Sequence, residues 1–166
     1  MNPHVKYPIA QTAVFLWIGF VCAISFMEAW LKFNAPGITL PLGLGIGRLV
    51  FGALNIMEWV FAIVIGANLF LTKDEPITKK ELLFIVPFLL LLLQTIWLLP
   101  ALDARAELYI RGSEVPESAL HYYYVGFEII KVVCLFIFGI RFYRRTSPGK
   151  QNQNIEKAGT AKVPAM

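Results

Sequence analysis

The sequence has little charge. Only 16% of its 166 residues are Asp, Glu, Lys or Arg, whereas 57% are hydrophobic. Soluble domains average about a quarter charged and about half apolar residues. The apolar residues also fall in four long runs separated by short polar segments, which is the pattern that a bilayer selects. The composition therefore excludes an ordinary soluble domain and predicts one small integral membrane protein.

The chain is also short of the residues that build metal and redox sites. It has two cysteines, Cys22 and Cys134, and two histidines, His4 and His121. Both cysteines fall inside predicted helices and form neither a CxxC motif nor a loop-disulfide pattern, so we interpret them as packing residues. One histidine in the membrane domain disfavours both bis-histidine haem and the paired Glu-x-x-His motifs of di-iron bundles.

Motifs of soluble enzymes and nucleic-acid binding are missing or incomplete. Gly43, Gly45 and Gly47 alternate at every second position and do not form a GxGxxG loop, and no GxSxG motif surrounds Ser25. The net charge of +4 comes from basic residues beside helix ends, where anionic lipid explains them. We therefore expect no dinucleotide loop, no serine hydrolase and no nucleic-acid partner.

The four apolar runs predict an all-α integral membrane protein, an antiparallel bundle of four transmembrane helices. Their approximate ranges are 10–32, 44–71, 82–102 and 119–142, each long enough to cross the hydrocarbon core. The membrane domain would occupy residues 1–145, and the polar segment 146–166 would be a disordered cytoplasmic tail. We expect the first run to be retained, because it is longer than a signal-peptide core and lacks a basic start.

The cations are divided unequally between the two ends of this predicted bundle. Ten Lys and Arg residues flank the end that carries both termini, four flank the other end, and Lys131 lies within the fourth helix. Cytoplasmic loops are enriched in Lys and Arg. We therefore predict a multi-pass protein of the cell membrane, in a bacterium the inner membrane, with both termini cytoplasmic (N-in/C-in).

Polar and ionisable residues inside the predicted spans are the main clue to function. A charge at mid-bilayer costs on the order of 2.5–3.5 kcal/mol, so such residues face the bundle interior, a partner or water. Those of this chain fall in the half of the bundle away from the termini. We predict that they line an outward-opening polar pocket, whose residues are Glu28, Arg48, Asn55, Glu58, Gln94, Asp103, Arg105, His121, Glu128 and Lys131.

Helical spacing supports this pocket in two of the helices. Arg48 and Asn55 are seven residues apart and so share a face of the second helix, with Glu58 three residues further on. In the fourth helix Glu128 and Lys131 are three residues apart and therefore adjacent. The two polar stripes are expected to meet inside the bundle.

Three functions remain open from the sequence. The pocket would bind or transport a cation, a proton or a small polar solute, or it would be the Glu/His site of a membrane-embedded enzyme. In either of these two cases Glu28, Glu58, His121 and Glu128 are the candidate ligands of a single divalent metal ion. Alternatively the buried ion pairs are structural, and the chain is a non-catalytic subunit or scaffold. Expected partners are the lipid bilayer, a small polar ligand or cation, and a second copy or another membrane subunit.

Overall fold

The computed structural model describes residues 8–71 and 81–144, and these residues form an all-helical structure without strands. Within these ranges, four helices are long and apolar enough to cross a membrane, which confirms the predicted number. They are α1 (Pro8–Asn34), α2 (Leu40–Leu71), α3 (Ile85–Ile110) and α4 (Leu120–Arg144). The predicted tail, 146–166, lies outside the described residues. So does the loop 72–80, which joins α2 to the short turn Glu81–Phe84 that precedes α3.

Helix α3 extends well past its predicted end near Leu102. The segment up to Ile110 is helical, and two of its acidic residues contact a basic residue of α2, as described below. The helix then ends at Gly112, whose φ of 75° is a left-handed conformation that glycine adopts without a Cβ penalty. Backbone bonds from Gly112 to Tyr109 and from Ser113 to Leu108 close this terminus in the manner of a Schellman cap.

The helices pack as a four-membered bundle in which α1 contacts α2 and α4, and α3 contacts the same two helices. Trp17 and Val14 of α1 are fully buried at its centre. Gly139 of α4 permits close approach to α1, since a Cβ at this position would lie 3.2 Å from side-chain atoms of Val14 and Phe15. The result is a core that receives residues from all four helices.

In helix α2, the spacing of the apolar residues distinguishes an exposed face from a buried one. Four of its apolar residues recur at seven-residue spacing and form one exposed stripe, with exposed fractions of 77% for Leu49, 66% for Ile56, 64% for Ile63 and 68% for Phe70. Residues displaced from this stripe are buried against the other helices, among them Leu54, Asn55, Glu58, Phe61 and Ile65. Apolar residues therefore cover the outer face, and the polar residues of α2 lie on the inner face.

Two of the helices contain a π-helical segment, Cys22–Glu28 in α1 and Gln94–Leu98 in α3. A π turn accommodates one extra residue and rotates the following residues relative to those before it. Ser25 and Gln94, both buried polar residues, lie in these segments. The π turns thus direct polar groups of α1 and α3 into the core.

Candidate functional site

The structure places seven of the ten predicted site residues in two sites, a buried cluster and a separate cavity. Glu58, Gln94, Glu128 and Lys131 lie in the cluster, whereas Arg48, Asp103 and His121 line the cavity. Asn55 and Glu28 each contact a residue of the cavity lining. Arg105 belongs to neither site, because its guanidinium donates to the carbonyl of Pro116. Residues that were predicted to line a single pocket therefore lie in two neighbouring sites.

The buried cluster comprises Trp17, Glu58, Gln94, Glu128 and Lys131, with at least one residue from each helix. The Lys131 ammonium donates to Glu58 Oε1, to Gln94 Oε1 at 2.6 Å and to Glu128 Oε1 at 3.2 Å. Trp17 Nε1 donates to Glu58 Oε1 at 2.8 Å, and Gln94 Nε2 donates to Glu128 Oε1 at 3.0 Å. All three charged side chains are at most 1% exposed. The bonds of this cluster tie the four helices together.

The cluster places two carboxyl groups around one ammonium group. A lysine side chain has three N–H donors, and those of Lys131 meet three acceptors in the cluster. Glu128 Oε2, by contrast, is buried and has no hydrogen-bond partner among the described residues, and the same is true of Ser25 Oγ. The Tyr124 side chain lies close to both Glu128 and Ser25. On this side of the cluster, one carboxylate oxygen and one hydroxyl therefore form no hydrogen bond with the described residues.

Beside the cluster lies a second site, which we name the Arg48 cavity. It has a volume of about 450 Å³ and is bounded by the end of α1 and by α2, α3 and α4. Apolar and glycine residues form most of its wall, among them Phe33, Phe51 and Leu99. The polar residues of the lining are Lys32, Arg48, Thr95, Asp103, His121 and Tyr124.

The cations of the cavity already have acidic partners. Arg48 forms a two-point contact with Asp103, with Nη2 2.9 Å from Oδ2, and also bonds Glu107. Lys32 Nζ lies 3.1 Å from Glu28 Oε2 and 5.3 Å from the centre of the Phe51 ring. The side chains of Arg48, Asp103 and Glu107 are 29–49% exposed. The ion pairs of Arg48 are therefore screened by solvent, unlike those of the buried cluster.

Two residues of the cavity lining face the core. Tyr124, which is 3% exposed, packs edge-on against Phe51 with the ring centres 5.3 Å apart, and its other side approaches Glu128. Thr95 Oγ1 accepts bonds from Asn55 Nδ2 at 2.9 Å and Trp59 Nε1 at 3.0 Å. Tyr124 is therefore the side chain that separates the Arg48 cavity from the buried cluster.

The structure does not bring together the four residues proposed for a metal ion. Glu28 pairs with Lys32, His121 lines the Arg48 cavity beside Tyr122, and Glu58 and Glu128 surround Lys131. Across residues 8–71 and 81–144, no three His, Cys, Asp or Glu side chains are placed to hold a metal.

Sequence reasoning missed several residues that the geometry makes important. Trp17 and Tyr124 look like ordinary aromatic membrane residues, yet the Trp17 indole donates to Glu58 and the Tyr124 side chain lies beside Glu128. Glu107 follows Asp103 by four residues, so it lies on the same helix face, and this spacing is a signal that was available. Thr95 lies next to Gln94, where a π-helical segment begins. The residue spacing of an α-helix therefore could not predict which way Thr95 faces.

Comparison of the chain with protein-family models, curated proteins and solved structures finds no match. Any function must therefore be argued from the two sites themselves.

Proposed function

We propose that this chain is a solute-binding protein of the cell membrane, an antiparallel four-helix bundle with both termini in the cytoplasm. In this proposal the Arg48 cavity opens away from the cytoplasm and binds a small organic solute with an apolar body and a polar group. The observation that carries the proposal is the cavity itself, whose walls are apolar and whose polar groups are few and held in place.

The outer surface of the bundle supports insertion in a bilayer. The stripe of α2 exposes four large apolar side chains in a row, and further exposed apolar residues include Leu71, Ile96 and Leu42. Apolar surface in water costs roughly 25 cal/mol per Å², and soluble monomers rarely expose contiguous patches beyond a few hundred Å². In hydrocarbon the same surface carries no such cost.

The distribution of cations supports the orientation. Lys32, Arg48 and Arg111, on the side that we assign to the exterior, all pair with acids. Reporter fusions test the assignment. Green fluorescent protein fused after Met166 should fluoresce, whereas alkaline phosphatase inserted after Ser113 should be active because that enzyme requires export. The reverse pattern would contradict the orientation.

The size and lining of the Arg48 cavity support binding of a small molecule. Ligand pockets usually measure about 300–1,000 Å³ and combine apolar walls with a few placed polar groups, and this cavity has about 450 Å³. Phe33, Phe51 and Leu99 suit a flat apolar body, while Arg48 and Asp103 suit a polar substituent. Because these two residues neutralise each other, the site does not require a strongly charged ligand.

Two glycines of α2 provide a matched test. Gly52 lines the cavity and Gly66 does not, yet neither would place a Cβ within 4 Å of another residue. The first carbon of a leucine side chain therefore meets open space at both positions, but only Gly52→Leu should fill part of the cavity. The probes are indole, tryptamine and indole-3-acetate, which share one apolar body and differ in charge, measured by equilibrium dialysis against protein in lipid nanodiscs.

We expect at least one of these probes to bind the wild type and Gly66→Leu equally, and to bind Gly52→Leu at least tenfold more weakly, equivalent to about 1.4 kcal/mol. Equal binding to both variants would place the solute outside the cavity. Absence of binding for all three probes would contradict the proposed class of solute.

A further inference from the structure

The charge of the buried cluster does not balance with all of its groups ionised. Two carboxylates and one ammonium carry a net charge of −1, and all three side chains are at most 1% exposed. An uncompensated buried charge costs several kcal/mol. One additional positive charge bound to the cluster would make it neutral, and the smallest candidate is a proton.

The hydrogen bonds distinguish the two carboxyl groups. Glu58 Oε1 accepts from Trp17 at 2.8 Å and from Lys131, which lies closer to Glu58 than to Glu128. Bonds donated to a carboxylate stabilise its ionised form. Glu128 Oε1 accepts two longer bonds, of 3.0 and 3.2 Å, and its Oε2 is buried without a donor among the described residues. Glu128 is therefore the carboxyl that tolerates a proton.

The surroundings of Glu128 Oε2 fit a protonated acid. The groups that face Glu128 are Lys131 and Tyr124 on α4, Glu58 on α2 and Gln94 on α3, and Ser25 on α1 lies beside Tyr124. A buried carboxylate oxygen that receives no hydrogen bond costs about 1–3 kcal/mol or more, and Oε2 receives none from the described residues. The Tyr124 hydroxyl is the nearby polar group, and its oxygen can accept a bond from a protonated Oε2.

We propose that the buried cluster is a proton-binding site, that Glu128 Oε2 carries the proton, and that this proton exchanges with the Arg48 cavity through the Tyr124 hydroxyl. In the exchange, Glu128 passes its proton to the Tyr124 oxygen while the original hydroxyl proton leaves Tyr124 for water in the cavity. The charge of the tyrosine is unchanged, and Glu128 is left ionised. The proposal does not depend on which solute the cavity binds.

Infrared spectroscopy of the protein in lipid nanodiscs tests the bound proton directly. At neutral pH exposed carboxyl groups are ionised, so the carbonyl stretch of a protonated acid reports a buried one. We expect one such band in the wild type, and a shift of this band in D₂O. Glu128→Asp should change its frequency, whereas Glu58→Asp should leave it in place. The spectra are recorded in sodium-free buffer, so that sodium cannot replace the proton. Absence of the band under these conditions would overturn the assignment. A band whose frequency changes in Glu58→Asp but not in Glu128→Asp would overturn it too.

The charge balance makes a second, less obvious prediction. Glu128→Gln should abolish the band, and Glu58→Gln should abolish it too, because Glu128 must then ionise to serve as the counter-ion of Lys131. Persistence of the band in Glu58→Gln would refute the argument. A wild-type band that is present in potassium but lost in sodium would show that the site takes a metal cation in place of the proton, which would also refute it.

The route is tested by the rate at which the band shifts after transfer to D₂O. Tyr124→Phe should keep the band but slow its shift by at least an order of magnitude. The control is Tyr123→Phe on the neighbouring, exposed side chain, which should leave the rate unchanged. An unchanged rate in Tyr124→Phe would rule out exchange through this hydroxyl.

Discussion

Replacing both acids of the buried cluster by glutamine is expected to destabilise the protein far more than the two single replacements combined. After either single change, Lys131 keeps one carboxylate, so each should cost no more than about 1.5–3 kcal/mol, the range for a hydrogen bond to a charged group. After both changes the buried ammonium has only amide oxygens as acceptors. Removing the partner of a buried ion costs about 3–5 kcal/mol, and this amount should appear as coupling between Glu58→Gln and Glu128→Gln.

The assay is reversible unfolding by dodecyl sulfate in mixed micelles, followed by far-ultraviolet circular dichroism, for the wild type, both single variants and the double variant. The control is a second cation between two acids, Arg48 with Asp103 and Glu107, whose side chains are 29–49% exposed. The double variant Asp103→Asn/Glu107→Gln should show no measurable coupling, since water solvates Arg48. Additive costs at the buried cluster would refute the reasoning.

Three further changes test other contacts. Thr95→Val should cost up to about 1–3 kcal/mol in the same unfolding assay, because two partly buried hydrogen bonds lose their acceptor, whereas Thr95→Ser should restore most of that stability. Gly43→Ala should lower the melting temperature and Gly45→Ala should not, because a Cβ at Gly43 would lie 2.2 Å from the Phe33 ring while one at Gly45 has an ordinary contact at 3.9 Å. Trp17→Phe should cost about 1.5–3 kcal/mol, the range for a bond to a charged acceptor, and equal stability of this variant would show that the indole bond is unimportant.

Long apolar runs predicted the number and approximate positions of the helices, because hydrophobicity and length are properties of the local sequence. Glu58, Glu128 and Lys131 were also identifiable, since ionisable residues in such runs must face inward. The pairing of these residues could not be predicted, because it depends on which helices are neighbours and on how each helix is rotated. The sequence therefore predicted the members of the buried cluster better than its separation from the Arg48 cavity.

The end of α3 shows another limit of prediction. Asp103 and Glu107 look like residues of an external loop, because acids interrupt the apolar pattern there. In the structure both contact Arg48, from a helix that continues to Ile110. The contact with Arg48 is made by residues distant in the sequence, so it could not be predicted locally, whereas Gly112 is a local signal for the helix end.

The π-helical segments determine how this chain responds to a change in length. A π turn contains more residues than an α turn, so the segment Cys22–Glu28 would become α-helical if one residue were removed. Deletion of one residue there would rotate the remainder of α1 by about 100°. Lys32 would then turn away from the Arg48 cavity while Trp17 kept its place in the core. A one-residue difference in length is therefore sufficient to create or remove one wall of the cavity without redesign of the bundle.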